Sequence, residues 1–482
     1  MKFPLLAKVG AIVLVGLMLT FVLARIEGLV GERKGRGEEA VRGVERSHAA
    51  AQSILGPLLQ RDCVERWDAV TDTDKGRVVT PSRREFSLTQ VPNQLAVDGR
   101  VKADPLWRGL YKINAYGGHF TVVADFASLA PLQPRAEHDG GKLQCGAPVL
   151  LLALSDVRGV RTATLTADGQ GVAVESGTPS GAWPHGFHAT LAPARADGDA
   201  AAHPLSVRLE LDLIGTGQLG WVPAAGATRW TLNSDWPSPS FGGQFSPADR
   251  AVRADGFTST WNLSSLATSA PADIAKGLAL CTPTSPNAND ASDDPAAKSD
   301  KCLDLMNVAF IDPVNPYVLS DRAVKYDLLF IVFTFIAVGL VEVLSGRRVH
   351  PVQYGLVGLA LSLFFQLLLS LSEHLPFEQA YVAAAAACAV LLGAYATSML
   401  GRKLAGLLFG LGIALLYGLL YALLQMEQNA LVIGSVMLFA ALAAVMMLTR
   451  RIDWYALFAR LRAEVEPTGA APKAPAAPDL RR

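Results

Sequence analysis

"VQYGLVGLALSLFFQLLLSLS", residues 352–372, contains no charged side chain. A helix of about 20 apolar residues crosses the roughly 30 Å hydrocarbon core of a bilayer, so this stretch predicts a transmembrane helix. The chain has six stretches of this character: 5–24, 327–345, 352–372, 379–400, 404–424 and 430–449. The first lacks a small-x-small cleavage pattern where it ends, which favours an uncleaved anchor, residues 1–25, over a signal peptide. The other five predict a helical bundle, residues 327–449.

The short loops between these helices differ in charge, and the difference predicts the orientation of the chain. Cytoplasmic loops carry an excess of Lys and Arg. Loops 372–379 and 425–429 contain neither residue, and they alternate with three basic loops. The basic loops contain Arg347, Arg348, Arg402, Lys403, Arg450 and Arg451. We therefore predict cytoplasmic N- and C-termini and a large external segment between the first two helices.

Three cations on the outer side of the first helix, Arg33, Lys34 and Arg36, oppose this orientation. We keep the orientation because charge governs long translocated domains only weakly. The whole chain has 43 basic and 43 acidic residues, a formal net charge of zero. Since the basic residues are neither in excess nor gathered on one motif, we exclude nucleic acid as a partner.

The cysteines agree with an external segment. Four of the five lie in it, and an even number suits a compartment that permits disulfides. We expect Cys281 to pair with Cys302, closing the stretch between them, and by exclusion Cys63 to pair with Cys145. Four reduced, buried thiols are the alternative.

The external segment divides into two parts. Residues 26–59 mix apolar and charged side chains, and they predict a helical stalk that Gly56 and Pro57 stop. Residues 60–326 contain short apolar runs, and in 205–213 apolar and polar residues alternate, which predicts a half-buried strand. Many such strands favour an all-β domain of the sandwich type. Residues 283–300 are poor in apolar side chains and predict a disordered loop, and residues 450–482 predict a cytoplasmic tail.

Several long strings resemble the CreD family of bacterial inner membrane proteins, also called cell envelope integrity proteins. They include "RGLYKINAY", "SDWPSPSFGGQF", "GFTSTWNLSSL", "FIDPVNPYVLSDRAVKYDLLFIVFTF", "HPVQYGLVGLALSLFFQLLLSLSEHLPFEQAY" and "TRRIDWY". The resemblance runs nearly end to end and implies an inner-membrane location with a periplasmic external domain. It also implies a link to envelope stress through a two-component system, colicin tolerance and β-lactam phenotypes. It implies no catalytic residue.

Two helical stripes carry the candidate polar residues of the membrane segments. In the third predicted helix they are Gly355, Gly358, Ser362, Gln366, Ser370 and Glu373. In the fifth they are Gly406, Gly410, Tyr417 and Tyr421. Small residues allow close helix contacts, so helix packing is the favoured interpretation. A lined conduit or a small-molecule pocket is the alternative.

Ionisable residues near the ends of the helices are further candidates. Glu342 precedes a cytoplasmic loop, and Glu373 with His374 lies at the outer end of the third helix. Intramembrane ionisable residues are often functional, but these three can reach the interface, which favours solvation of a helix end over a proton relay. Because histidine titrates near neutral pH, a pH-sensing role for His374 is a second hypothesis. Arg322 and Lys325 are expected to anchor the outer border at headgroups.

The external domain offers weaker candidates. His185 and His188 are spaced by three residues around Pro and Gly, and this does not predict a metal site. Trp221, Trp230, Trp236 and Trp261 favour a packed core over a binding surface. The chain lacks the nucleophile elbow, the phosphate loop and the zinc-helix motif, so we predict no enzyme and no cofactor.

Our leading hypothesis is therefore a non-catalytic inner-membrane protein that senses or stabilises the envelope through its periplasmic domain. Its expected partners are membrane lipid and an envelope protein or glycan. The alternatives are a small transporter or lipid-handling channel that uses the polar stripes, and an envelope enzyme of unrecognised type.

Overall fold

The computed structural model describes residues 4–73, 76–282, 302–312, 316–345, 349–425 and 430–450. The predicted loop 283–300 and all of the predicted tail 450–482 except Arg450 lie outside these residues, as do Arg347, Arg348 and residues 426–429. The chain divides into two compact units. The helical unit consists of Met1–Arg36 and Val314–Arg482, and the β domain is Gly37–Pro313.

The described residues contain eight α-helices. They are α1 Pro4–Ser47, α2 Ala270–Ala275, α3 Pro316–Val324, α4 Asp327–Ser345, α5 Pro351–Ser372, α6 Phe377–Leu400, α7 Lys403–Gln425 and α8 Ala430–Thr449. Six of them coincide with the predicted membrane segments; α2 and α3 do not. Within the described residues, parts of α1, α5, α6 and α7 are long and apolar enough to cross a membrane. Helices α4 and α8 occupy the other two predicted segments, and their crossing stays a prediction.

The first helix is not an anchor separate from the bundle. Leu19, Leu23, Ile26 and Val30 of α1 are buried in the same hydrophobic core as the side chains of α4 to α7. The close approach depends on α5, where Gly358 has no side chain and Leu19 occupies the space. Apolar periodicity cannot distinguish a helix that faces lipid from one that faces other helices, which is why the sequence did not predict this packing.

The predicted stalk, residues 26–59, is also corrected. Helix α1 ends at Ser47, and a strand begins at Gln52. Ile54, Leu55, Leu58 and Leu59 are fully buried in this strand. Ile54 and Leu58 are four residues apart, as are Leu55 and Leu59, and this spacing is typical of a helix. It occurs in a strand here because the register shifts between Leu55 and Leu58. The shift sends Leu55 and Leu58 to one core cluster and the other two to a second.

The β domain contains the strands β1 Gln52–Thr73, β2 Gly76–Gln90, β3 Gln94–Ala103, β4 Leu106–Arg108, β5 Tyr111–Ile113, β6 Ala115–Phe126, β7 Lys142–Cys145, β8 Val149–Leu154, β9 Val160–Ala167, β10 Gln170–Val172, β11 Glu175–Ser176, β12 Gly186–Thr190, β13 Leu205–Thr216, β14 Gln218–Trp221, β15 Ala227–Ser234, β16 Pro239–Gly243, β17 Asp249–Arg253, β18 Gly256–Ser264 and β19 Met306–Phe310. The alternating strand predicted at 205–213 is β13, whose burial alternates as its sequence does.

These strands form two large sheets. One has the order β11-β12-β8-β1-β14-β19-β16, with β2 and β7 also paired to β1, and the other has the order β10-β9-β13-β6-β3-β15-β18-β17. Both contribute to one hydrophobic core. Rings from the two sheets meet there, with Phe120 and Trp221 centroids 6.1 Å apart and Tyr116 and Phe310 centroids 4.8 Å apart. The domain is therefore mostly β, with two open sheets packed face to face. Strands β4 and β5 form a separate hairpin.

Candidate functional site

Glu373 lies at the C-terminal end of α5, and the structure shows which neighbour it faces. Glu373 Oε1 lies 3.4 Å from the Nε of Arg33 on α1, and the glutamate side chain is only 11% exposed. His374 is exposed, and its backbone N–H donates to the carbonyl of Leu371. The two neighbouring residues therefore do not form one site. Glu373 joins two helices, whereas His374 faces outward.

The polar stripe of α5 is divided by the packing. Gly355 and Gly358 face α1, and the Ser362 hydroxyl donates to the Gly358 carbonyl of its own helix at 3.0 Å. Gln366 and Ser370 are exposed in the described helical unit. The stripe is therefore used for helix packing at Gly355, Gly358 and Glu373, whereas Gln366 and Ser370 between them take no part in it.

The stripe of α7 is a close contact with α6. Gly410 faces Gly393, and a Cβ added to Gly410 would lie 3.1 Å from the Gly393 Cα. Further along, the Tyr417 hydroxyl donates to Cys388 Sγ at 3.2 Å, and the hydroxyl of Tyr381 donates to the Tyr417 carbonyl at 2.7 Å. Buried hydroxyls need such partners, so these bonds fit a packed helix pair.

Tyr421 also contacts α6, since its ring centroid lies 5.1 Å from that of Tyr381.

Glu342, near the end of α4, holds the connection to the next helix. It accepts hydrogen bonds from the Tyr354 hydroxyl at 2.9 Å and from the Val349 backbone N–H at 3.2 Å. These bonds connect the end of α4 to the start of α5. At the predicted outer border, Lys325 directly follows α3, and its Nζ lies 3.1 Å from Oδ2 of Asp321 in that helix.

In the β domain, β1 and β2 extend beyond the sheet as a two-stranded ribbon. Cross-strand pairing continues from Trp67 opposite Ser82 to Thr73 opposite Gly76, whereas β7 pairs with β1 only up to Arg66. We call residues 67–73 and 76–82 the ribbon. Three large apolar side chains on it are strongly exposed: Val70, Val78 and Val79.

A buried carboxylate holds the base of the ribbon. Glu65 is fully buried, and its Oε1 accepts hydrogen bonds from the backbone N–H groups of Glu137 and His138 at 2.8 and 2.9 Å. Its Oε2 lies 3.3 Å from His138 Nδ1 and 3.4 Å from Arg84 Nη2. The bond from the His138 backbone is the largest cause that lowers the pKa of Glu65 below its ordinary value. The His138 ring also stacks on Trp67, with centroids 3.7 Å apart.

The same base contains a disulfide. Cys63 on β1 is bonded to Cys145 on β7, and Cys281 is bonded to Cys302 elsewhere in the domain. An open depression of about 600 Å³ adjoins the first bond. Its polar lining comes from β1, β2 and β7: Asp62, Arg66, Glu85, Ser87 and Gln144.

The remaining candidates of the β domain are structural. Trp221, Trp230 and Trp261 are completely buried, and Trp230 stacks on Trp261 with centroids 4.4 Å apart. His188 bonds through Nδ1 to the Gly177 carbonyl at 2.7 Å. Among the described residues, no three His, Cys, Asp or Glu side chains are placed to hold a metal.

Comparison with known proteins places the chain in a family. A family model described as "Inner membrane protein CreD" matches residues 4–455. The chain belongs to the CreD family. The family member of Escherichia coli strain K12, inner membrane protein CreD, is 32% identical over 457 residues, which cover 95% of each chain. The CreD resemblance is therefore confirmed, and with the apolar helices it supports an inner-membrane location.

Likeness to solved structures adds nothing for this CreD-family chain. An M1 zinc metallopeptidase from Deinococcus radiodurans matches at 12% identity, both in the crystal structure of its E323A mutant bound to a Tyr-Ser-Ala substrate and in a crystal structure of the enzyme itself. The match covers 36% of this chain and 38% of the other, with a TM-score of 0.18. A score this low carries no argument about fold or chemistry.

Sequence reasoning missed Arg33, Glu65 and the ribbon. Arg33 had a signal, because it opposed the predicted orientation and therefore needed a local partner. Glu65 had none, since its burial depends on the loop around residues 137–138 that closes over it. The ribbon could not be predicted, because the sequences of β1 and β2 do not show at which residue the neighbouring strand β7 ends.

Proposed function

We propose that this CreD-family chain is a non-catalytic inner-membrane protein whose β domain lies in the periplasm and recognises a polypeptide partner there. The ribbon is the recognition element. Through this contact the protein senses or stabilises the cell envelope. The observation that carries the proposal is the exposure of a paired ribbon that has no covering strand or helix among the described residues.

An isolated two-stranded ribbon is marginally stable in water, so a ribbon of this length needs support. Its base has that support in the disulfide of Cys63 with Cys145 and in the network around Glu65. Its outer part exposes Val70 and Val79, which lie directly opposite each other in the register. A rigid base with an apolar outer part suits an arm that gains stability when a partner covers it.

The strand edge favours a polypeptide as the partner. Within the described residues, β2 pairs with β1 alone, so its other edge is open. An extended peptide that adds to such an edge gains main-chain hydrogen bonds, while side chains on the strand faces supply specificity. Pro81 lacks an N–H and limits the pairing locally, as proline does in edge strands.

Photo-crosslinking of the full-length protein in cells tests the proposal. A photoreactive residue in place of Val79 is expected to capture a periplasmic protein. The same residue in place of Val252 on β17, which is 49% exposed against 56% for Val79, is the matched control and is expected to capture none. Capture of a glycan at Val79, equal capture at both positions, or no capture at Val79 would each contradict the proposal.

A shortened ribbon provides the functional test. Because Trp67 lies opposite Ser82, replacing residues 68–81 by Asn-Gly removes the arm and retains the register at its base. The variant should keep its disulfides and its membrane insertion but lose its contribution to envelope integrity. Full activity of a correctly inserted variant would rule out the ribbon.

A small transporter or lipid-handling channel is the second candidate, and one observation favours it. Gln366 and Ser370 are polar, exposed and one helical turn apart on α5. A variant with Gln366→Leu and Ser370→Ala should abolish function if these side chains line a path. It should leave function unchanged if the ribbon is the working element, so the two candidates give opposite results.

A further inference from the structure

The β4–β5 hairpin exposes apolar side chains of a kind that soluble surfaces usually cover. Trp107 is 67% exposed, and Leu110, beside Gly109 in the turn, is 44% exposed. Among the tryptophans of the described residues, Trp107 alone falls in the exposed class; the others are buried or half-buried. An exposed Trp and Leu at one hairpin tip suggest a partner surface rather than bulk water.

The hairpin contacts both segments that lead from the β domain toward the helical unit. On the N-terminal side, the Tyr111 ring lies against Gly37 and the Arg108 guanidinium lies against Gly43, both on α1. On the C-terminal side, Lys112 Nζ lies 3.0 Å from Asp312 Oδ2. Gly37 is the first residue of the β domain, and Asp312 is followed by Pro313, its last.

These contacts place the hairpin at the membrane-proximal end of the β domain by chain connectivity. Helix α1 continues without a break from Gly37 back into a segment long and apolar enough to cross a bilayer. Gly37 is only four helical residues, about 6 Å at ~1.5 Å per residue, beyond Arg33, which pairs with Glu373 at the end of the apolar helix α5. A hairpin fixed to α1 at Gly37 is therefore within reach of a bilayer surface.

The chemistry of the hairpin matches phospholipid headgroups. Residues 105–113, "PLWRGLYKI", contain two cations and no carboxylate. Tryptophan is enriched at membrane interfaces, where its ring lies at the level of the headgroups, and Arg and Lys attract their phosphates. The combination of Trp107, Leu110 and Arg108 therefore fits an anionic interface better than a polar protein surface.

We propose that the β4–β5 hairpin docks on the outer leaflet of the inner membrane, with Trp107 and Leu110 among the phospholipid headgroups. The contact would hold the base of the β domain at the bilayer. It is independent of the ribbon, which belongs to another part of the domain.

Spin labelling of the full-length protein in phospholipid vesicles tests this proposal. A nitroxide on Leu110→Cys should be several-fold less accessible to a water-soluble nickel complex, and several-fold more accessible to oxygen, than one on Leu266→Cys. Leu266 is 96% exposed in a turn of the same domain and is the control. The parent chain, whose remaining free cysteine Cys388 is buried, gives the background.

Two other outcomes would overturn the proposal. Accessibility equal to that of Leu266 would mean that the hairpin lies in water. Protection from both reagents would mean that protein covers it instead of lipid. A label on Trp107→Cys must give the same result as the label on Leu110→Cys, which guards against a local distortion at one position. Failure here would leave crosslinking from Val79 unaffected.

Discussion

Arg33 Nε on α1 lies 3.4 Å from Glu373 Oε1 at the end of α5. Arg33 is one of three cations that oppose the predicted orientation of the chain. The carboxylate of Glu373 offsets the charge of Arg33 where α1 and α5 meet. This contact explains why a cation occurs at Arg33 although it opposes the predicted orientation. The pair also explains Glu373, whose polar side chain ends an otherwise apolar segment.

Breaking this pair should weaken the contact between α1 and α5. A double-mutant cycle with Arg33→Ala and Glu373→Gln is expected to give a coupling energy of about 1 kcal/mol, above the few tenths typical of exposed helix pairs. Unfolding of the full chain in mixed micelles measures it. Arg36→Ala is the control, because the Arg36 side chain is 57% exposed and its Nη2 lies 2.6 Å from Oε1 of Glu32 in its own helix; it should change the stability little. A coupling energy near zero would show that the two side chains do not interact in solution.

The contact between α6 and α7 should tolerate no added volume at its centre. Gly410→Leu is expected to destabilise the helical unit by about 2 kcal/mol, because the new side chain must displace Gly393 of α6. Gly412→Leu is the matched control, since no atom outside the helix lies within 4 Å of a Cβ there. Both changes raise helix propensity equally, so their difference reports the contact. Equal stabilities would mean that the glycine pair is not a packing site.

The Glu65 network should make the stability of the β domain dependent on acid pH. Its folded-state pKa is lowered, chiefly by the hydrogen bond from the His138 backbone, so the ionised form stabilises the fold. That contribution is complete above the unfolded pKa of about 4.3 and is lost as pH falls through the lower folded pKa.

Glu65→Gln should therefore lower the denaturant midpoint at neutral pH and bring it closer to that of the native chain below about pH 4. Tryptophan fluorescence of the full-length protein follows the transition. Glu85→Gln, at a position whose side chain is 64% exposed, should run parallel to the native chain at every pH. A constant difference between Glu65→Gln and the native chain across this range would refute the linkage.

The two disulfides should contribute unequally to stability. The bond of Cys63 with Cys145 spans 82 residues and that of Cys281 with Cys302 spans 21. Loop-closure entropy then predicts losses of about 4.5 and about 3.3 kcal/mol when each pair is changed to serine. Denaturant unfolding of the two variants compares them. A larger loss for the shorter loop would indicate that contacts in the folded state outweigh chain entropy.

The sequence by itself determined the features that repeat at short range. Six apolar segments and the alternation in residues 205–213 reflect direct exposure of each side chain to lipid, water or a core. Long family strings such as residues 350–381 were equally sufficient to identify the family. These features do not depend on which distant segment lies opposite.

Tertiary structure decided whatever depends on a partner distant in sequence. Glu373 and Arg33 are 340 positions apart, and Glu65 is buried only because the loop of His138 closes over it. The spacing of Leu55 and Leu58 fits a helix, but both lie in a strand whose register with β8 shifts between them. In each case local periodicity was the same for both interpretations, and the free energy of long-range packing and hydrogen bonding selected between them.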